Sequence, residues 1–71
     1  MYQINLTVNI GHNIKRIREV KNISRKELYI DAKISAATLF RLENNKVKYI
    51  NTDHLHRIAK CLSVDIRELL S

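Results

Sequence analysis

The sequence predicts an all-α domain, and three observations support this fold class. The chain has no proline and a single glycine, Gly11, whereas folds rich in strands and tight turns draw on both residue types. Apolar residues recur at intervals of three and four, the period of an amphipathic helix. Two pairs, Ser24 with Glu27 and Asp65 with Glu68, have the spacing of a capping box at a helix start.

Charge and cysteine content restrict the class of protein further. A chain of 71 residues is expected to form one domain. Lysine and arginine number 13 against 7 acidic residues, an excess that favours a polyanionic partner, although a lysine-rich surface without a partner has the same charge. The single cysteine excludes an internal disulfide and suggests a reducing compartment. Without a long apolar run or a signal peptide pattern, we expect a cytoplasmic protein with no membrane contact.

The first eight residues have a different period from the rest of the chain. Tyr2, Ile4, Leu6 and Val8 alternate with polar residues, which is typical of a half-buried strand. We therefore predict an N-terminal arm or strand over residues 1–8. It either pairs with the same strand of a second chain or forms a loosely ordered arm.

Residues 9–71 are predicted to form the helical domain. Serine, asparagine and aspartate side chains precede the apolar segments at positions suited to N-caps. The five predicted helices cover residues 9–21, residues 25–32, residues 36–44, a segment from Asn51 or Thr52 to Leu62 or Ser63, and a last short segment after Asp65. Residues 46–50 are predicted to form a basic loop.

Residues 24–44 predict a helix-turn-helix motif. Two short helices, capped by Ser24 and Ser35, are joined by a turn at Lys33 and Ile34. In a basic chain this arrangement is typical of a motif that places its second helix in the DNA major groove.

The order of residues around this motif is more specific than any single position. It comprises Ile14, Ile17, Arg18, Ile23, Ser24, Glu27, Leu28, Ile34, Ser35, Thr38, Leu39, Arg41, Leu42, Glu43, Asn44, Lys46, Leu55, Ile58, Ala59, Lys60, Leu62, Val64 and Leu69. Over residues 10–70 this order resembles the lambda-repressor/Cro-like (Xre-like) helix-turn-helix family. The resemblance implies a compact five-helix domain and a bacterial or phage transcriptional regulator, most often a dimeric repressor that binds double-stranded operator DNA.

Three positions depart from the pattern of that family. Tyr29 stands where alanine is usual, so its ring must turn outward or separate the two motif helices. Lys33 and Asn45 stand at common glycine positions. A lysine with positive φ costs on the order of 1 kcal/mol, whereas asparagine tolerates that conformation better.

The resemblance places the start of the third helix against the base edges. The predicted base-reading residues are Ala36, Ala37, Thr38 and Arg41. Arg41 is the strongest of them because its planar fork can bond two acceptors on guanine; the alternative is that it pairs with a phosphate or a nearby acid. Since the alanines have no polar group, we expect modest direct readout, with DNA shape contributing the remainder.

The predicted phosphate contacts flank the motif on both sides. They are Arg25, Asn44, Lys46, Lys48 and Tyr49. Such contacts set the register of a protein on the duplex without reading its sequence. For each lysine the alternative is an ordinary solvated side chain.

The resemblance also implies two features that do not contact bases. Arg18 and Glu43 are expected to form a structural ion pair between the first and third helices. Ile66, Leu69 and Leu70 are predicted to pack inward and to supply a homodimer interface. Strand pairing through the N-terminal segment is a second route to a dimer.

The remaining reactive or aromatic residues do not indicate catalysis. Because Leu39 and Leu42 face inward, Phe40 is expected to point partly outward; it is predicted to extend the core by folding back onto Tyr29, and contact with a partner chain or a sugar is the alternative. Cys61 is predicted in the core. His54 and His56 lie two apart and face different sides of a helix. We expect no metal site, no cofactor and no enzyme, because no ligand spacing and no nucleophile–base pair is present.

Two functions remain open at this level. The first is a sequence-specific DNA-binding regulator. The second is a protein-interaction module, such as an antitoxin or a regulatory partner, that binds DNA weakly. Tyr29, Lys33 and the two alanines of the third helix motivate the second.

Overall fold

The computed structural model describes residues 3–5, 9–47 and 49–71, and within them it confirms the all-α class. Five helices occur in this part of the chain, and each begins and ends within about a residue of its predicted position. They are α1 (Ile10–Val20), α2 (Arg25–Asp31), α3 (Ala36–Glu43), α4 (Thr52–Leu62) and α5 (Ile66–Leu70). No helix of the described residues is long and apolar enough to cross a lipid bilayer.

A short antiparallel sheet joins the N-terminal segment to the chain after α3. Strand β1 (Gln3–Asn5) pairs with strand β2 (Tyr49–Asn51), with Ile4 opposite Ile50. Residues 3–5 thus form a strand, as predicted, rather than a loose arm. Their partner in this structure is β2 of the same chain, which was not predicted, and part of the predicted basic loop is a strand. Pairing with a second chain stays a prediction. Ile50 anchors β2 because its side chain is buried in the core, which holds an extended segment where β1 can pair. Residues 2, 6 and 8 of the alternating pattern lie outside the described residues.

The helix starts follow the predicted capping chemistry. The Glu27 backbone N–H donates to Ser24 Oγ at 3.0 Å, and the Ser24 N–H donates to Glu27 Oε1 at 2.9 Å. Ser35 Oγ accepts from the Thr38 N–H at 3.0 Å. These side chains satisfy N–H groups that have no partner within the helix. The starts of α2 and α3, and hence the turn between them, are set by local chemistry.

Four of the helices end at a residue with a left-handed backbone conformation, and none of these residues is glycine. In the first three helices the residue after the C-cap has a left-handed backbone, with φ of 58° at Asn22, 57° at Lys33 and 55° at Asn45. In α4 the C-cap itself, Ser63, is left-handed with φ of 57°. A backbone N–H one residue later closes each end, as in the bond from the Ile34 N–H to the Tyr29 carbonyl at 3.0 Å. Such closure is the Schellman arrangement. Lys33 thus adopts the strained conformation that its place in the motif required.

The core is a single cluster of apolar side chains drawn from every helix and from β2. It comprises Ile10, Ile14, Ile17, Leu28, Ala32, Ile34, Leu39, Leu42, Ile50, Leu55, Ile58, Ala59, Leu62 and Leu69. Cys61 and Tyr29 are half-buried against this cluster, so Cys61 lies at the margin of the predicted core. The core fills the side of α3 that carries Leu39 and Leu42 and leaves the other side of that helix free.

Two residues of α1 that the sequence did not single out position their neighbours. A Cβ on Gly11 would lie 2.9 Å from Asn45 Oδ1 and closer still to the Leu42 carbonyl oxygen, so only glycine permits this approach of α1 and α3. The buried Asn13 amide donates to the carbonyls of Leu69 and Ser71 at 3.0 and 2.8 Å. The sequence did contain signs of both roles: Gly11 is a lone glycine within a predicted helix, and Asn13 is a polar residue on the apolar side of that helix.

Candidate nucleic-acid interface

Helix α3 has one buried side and one solvent-facing side. Leu39, Leu42 and Glu43 are buried. The solvent-facing side, named the exposed face of α3 from here on, comprises Ala36, Ala37, Phe40, Arg41 and Asn44, the last being the C-cap of the helix. At about 100° of rotation per residue these five positions fall within an arc of about 140°. The helix therefore presents one continuous surface to a partner.

Three of the four predicted base-reading residues lie on this face. Ala36, Ala37 and Arg41 are exposed, whereas Thr38 is half-buried at the edge of the packed side. The Thr38 hydroxyl lies 2.8 Å from Ser35 Oγ, so it takes part in capping the helix. Arg41 makes no side-chain hydrogen bond or ion pair with the described residues, and its guanidinium has its donors available for an external acceptor.

The buried carboxylate of Glu43 binds two guanidinium groups. Arg18 Nε donates to Oε2 at 2.8 Å and Arg18 Nη2 donates to Oε1 at 3.2 Å, while Arg25 Nε donates to Oε1 at 3.1 Å. The Glu43 and Arg18 side chains are 0% and 8% exposed, but half of the Arg25 side chain is exposed. The ion pair of Arg18 and Glu43 thus exists as the resemblance implied, and it extends to Arg25.

This triad links three helices and retains a positive charge. Arg18 belongs to α1, Arg25 begins α2, and Glu43 ends α3. Arg18 Nη1 also donates to the Ile23 carbonyl at 3.0 Å. A paired, hydrogen-bonded carboxylate in this position fixes geometry more reliably than it adds stability. One guanidinium charge exceeds the single carboxylate, and it lies at the exposed Arg25.

The remaining predicted phosphate contacts lie near the C-terminal end of α3. Asn44 and Lys46 are exposed, and the Asn44 Nδ2 donates to the Phe40 carbonyl at 2.8 Å. Because Arg25 reaches Glu43, its guanidinium lies at the same end of α3 as Lys46. The backbone of Tyr49 lies in β2, while its side chain and the whole of Lys48 lie outside what the structure describes.

The predicted dimer residues do not share one environment. Leu69 has no exposed surface in the single chain, so its assignment to an interface was wrong: a side chain enclosed by its own core cannot contact a second chain while this fold persists. Ile66 and Leu70 are half-buried against the core and remain the predicted contacts.

Phe40 does not extend the core, contrary to prediction. Its side chain is 52% exposed, because Leu39 and Leu42 already occupy the packed side of α3 and position 40 falls between Ala36 and Asn44 on the opposite side. The partly outward orientation was expected from the sequence, since Phe40 lies about 100° from Leu39 and about 160° from Leu42 around the helix.

Four titratable groups of the described residues have shifted pKa values. Hydrogen bonds from the side chain and backbone of Arg67 lower the pKa of Asp65, and the bond to Asp65 raises the pKa of Arg67. The hydrogen bonds from Ser24 lower the pKa of Glu27. Burial, followed by the charge of Asp31, raises the pKa of the Cys61 thiol, which makes it a weaker nucleophile. Within the described ranges, no three His, Cys, Asp or Glu side chains come together as metal ligands.

The fold and the exposed face of α3 define the class as a helix-turn-helix DNA-binding domain. The family model of the Cro/C1-type HTH DNA-binding domain matches residues 13–71, and the chain belongs to this family. Among curated protein sequences, none is significantly similar.

Solved structures support the same assignment. The structure of the master regulator for biofilm formation SinR in complex with DNA has a TM-score of 0.82 and 29% identity, covering 87% of this chain and 98% of that one. The N-terminal DNA binding domain of SinR from Bacillus subtilis has the same TM-score and identity and is covered to 90%, against 87% of this chain. The restriction-modification controller protein C.AhdI from Aeromonas hydrophila, at 19% identity and a TM-score of 0.80, covers 87% of this chain and 92% of its own and shows the shared fold.

Proposed function

We propose that this protein is a sequence-specific transcriptional regulator that binds double-stranded DNA with the exposed face of α3 in the major groove. The observation that carries the proposal is the exposed guanidinium of Arg41 on that face, with Lys46 exposed just beyond the same helix and Arg25 bonded to Glu43 at its C-terminal end. A bidentate arginine reads guanine, and flanking cations hold the helix against the phosphates. The relative SinR is described in complex with DNA, which supports this partner.

The regulator is proposed to act as a homodimeric repressor in the cytoplasm of a bacterium or of a phage-infected cell. Two copies of α3 then read two half-sites about one helical turn apart. Ile66 and Leu70 on α5 are the proposed contacts between the copies. No catalytic step is needed, because occupation of the operator is itself the regulatory event.

Selection of bound duplexes from random-sequence DNA tests this function. The unmodified chain should enrich a guanine-containing motif with two related halves. Arg41→Ala should lose about five-fold to 150-fold in affinity for that motif, the value of a bidentate contact of about 1–3 kcal/mol, and should tolerate other bases at the guanine. Failure to enrich any motif would contradict the proposal.

Salt dependence separates phosphate contacts from base contacts. Lys46→Ala should weaken binding to all duplexes and reduce the slope of log affinity against log salt by about 0.9. Arg16→Ala is the matched control, since Arg16 is an exposed cation on the side of α1 away from Gly11 and Arg18, the positions that face α3. It removes the same charge and should leave the slope nearly unchanged. Equal effects of the two variants would show that only the net charge matters.

The same assays distinguish the alternative function. A chain that binds no duplex above background at low salt, yet forms a tight complex with another protein, is an interaction module that has kept the fold alone. The exposed Arg41, together with the cationic side chains of Arg25 and Lys46 at the C-terminal end of the same helix, favours DNA over this alternative, because a cationic surface suits a polyanionic partner.

A further inference from the structure

Phe40 is a large apolar side chain that does not belong to the hydrophobic core. Just over half of its surface is exposed, although the packed side of the same helix contains fully buried leucines. Ala36 lies one turn before Phe40 on the exposed face of α3, and Asn44 lies one turn after it, with its amide bonded to the Phe40 carbonyl. Arg41 follows directly. The face that we propose to enter the major groove therefore has an apolar part, formed by Ala36, Ala37 and Phe40, and a polar part toward its C-terminal end, formed by Arg41 and Asn44.

We propose that Phe40 determines sequence specificity by contacting the 5-methyl group of a thymine. This inference rests on the proposed function. It assigns a second base, a thymine, in addition to the guanine proposed for Arg41. Among the groups that base pairs present in the major groove, the thymine methyl is the apolar one, and aromatic and alanine side chains are suited to it. A phenyl ring set against the polar edge of guanine, cytosine or adenine would remove hydrogen-bonding groups from water without replacing their partners.

The short residues beside Phe40 strengthen the argument. Ala36 and Ala37 are exposed and end at Cβ, so they do not hold the helix away from the base edges and do not compete for the same groups. The ring is then the longest apolar group on the face, as Arg41 is the longest polar one. The predicted half-site has a guanine opposite Arg41 and a thymine within a base pair or two of it.

Replacing thymine by uracil in the selected duplex tests this contact directly, because the two bases differ only in the methyl group. Each thymine of the motif is replaced in turn, and the dissociation constant is measured for the unmodified chain and for Phe40→Ala. The unmodified chain should lose about four-fold at one thymine per half-site, the equivalent of one buried methyl group. Phe40→Ala should bind less tightly and show no loss at that thymine.

A second exposed apolar residue provides the matched control. Ile30 is 55% exposed on the side of α2 opposite the buried Leu28, and Ile30→Ala should keep the full uracil effect. Because Phe40 is exposed, Phe40→Ala should unfold at an unchanged temperature, which excludes misfolding as the cause.

The outcomes separate this inference from the function on which it rests. If the unmodified chain selects a motif but no uracil substitution weakens binding, or if Phe40→Ala loses as much at the same thymine as the unmodified chain, the role of Phe40 is refuted while DNA binding stands. If the unmodified chain selects no motif, both proposals fail.

Discussion

Replacing Gly11 by alanine tests the packing that places α3. The alanine Cβ would lie 2.9 Å from Asn45 Oδ1 and 3.0 Å from the Leu42 carbonyl carbon, and nearer still to the Leu42 oxygen. Asn45 can rotate its side chain, but Leu42 presents backbone atoms at the end of α3 and cannot yield in the same way. Either α1 or α3 must therefore move.

The size of the effect follows from two opposing contributions. Separating two packed surfaces by on the order of 1 Å forfeits a quarter to a half of their dispersion attraction, and overpacking of this kind costs about 1–3 kcal/mol. Alanine regains about 1 kcal/mol through its higher helix propensity. Because the obstacle is backbone, we take the upper end of the overpacking range and expect Gly11→Ala to destabilise the fold by about 2 kcal/mol.

Thermal unfolding followed by circular dichroism measures this change. A loss of about 2 kcal/mol lowers the Tm of a domain of this size by roughly 8–16 °C. His12→Ala is the control, because His12 is the exposed neighbour of Gly11 on α1 and its replacement brings a better helix former without a clash. An unchanged or raised Tm for Gly11→Ala would refute the close approach of α1 and α3.

Four further predictions concern the turn, the triad, acid stability and association. Lys33→Gly should stabilise the fold by about 1 kcal/mol, since glycine adopts positive φ without strain, and chemical denaturation measures the gain. Glu43→Gln should cost about 3 kcal/mol in the same assay because it leaves a buried arginine charge without its partner, whereas Arg25→Ala should cost less than about 1 kcal/mol because half of that side chain is exposed. The pKa of Glu27 is lowered in the folded chain. The ionised Glu27 side chain therefore stabilises the fold above the ordinary pKa of glutamate, and this stabilisation is lost as the pH falls through the lowered pKa. Glu27→Gln should flatten that part of the curve of stability against pH. Deletion of residues 1–8 should leave the mass of the assembly, measured by light scattering and corrected for the shorter chain, at the same number of chains.

Each of these predictions has a clear contrary result. Destabilisation by Lys33→Gly would show that the lysine side chain makes contacts that outweigh its backbone strain. Equal losses in Glu43→Gln and Arg25→Ala would place the main partner of the carboxylate at Arg25. An unaltered acid profile in Glu27→Gln would exclude its capping bond as the acid-sensitive element. A smaller number of chains after the deletion would support strand pairing as the route to a dimer.

Interactions between residues close in sequence were sufficient to predict the helices and the helix-turn-helix motif. The Ser24–Glu27 pair and Ser35 set helix starts through bonds to residues three positions away, so their effect can be read without knowing the fold. The turn at Lys33 was recognised in the same way, from its place between two capped helices. Arg41 could be placed on the exposed face because helical geometry alone puts it opposite Leu39.

Other features depend on parts of the chain that are distant in sequence. The strand partner of residues 3–5 lies at 49–51, Gly11 is required because Leu42 and Asn45 approach it, and Arg25 shares Glu43 with Arg18. Leu69 could equally have faced a second chain until the core was seen to enclose it. Periodicity reports which side of a helix is apolar, but only the packing of the helices decides whether that side meets the core, a partner chain or DNA.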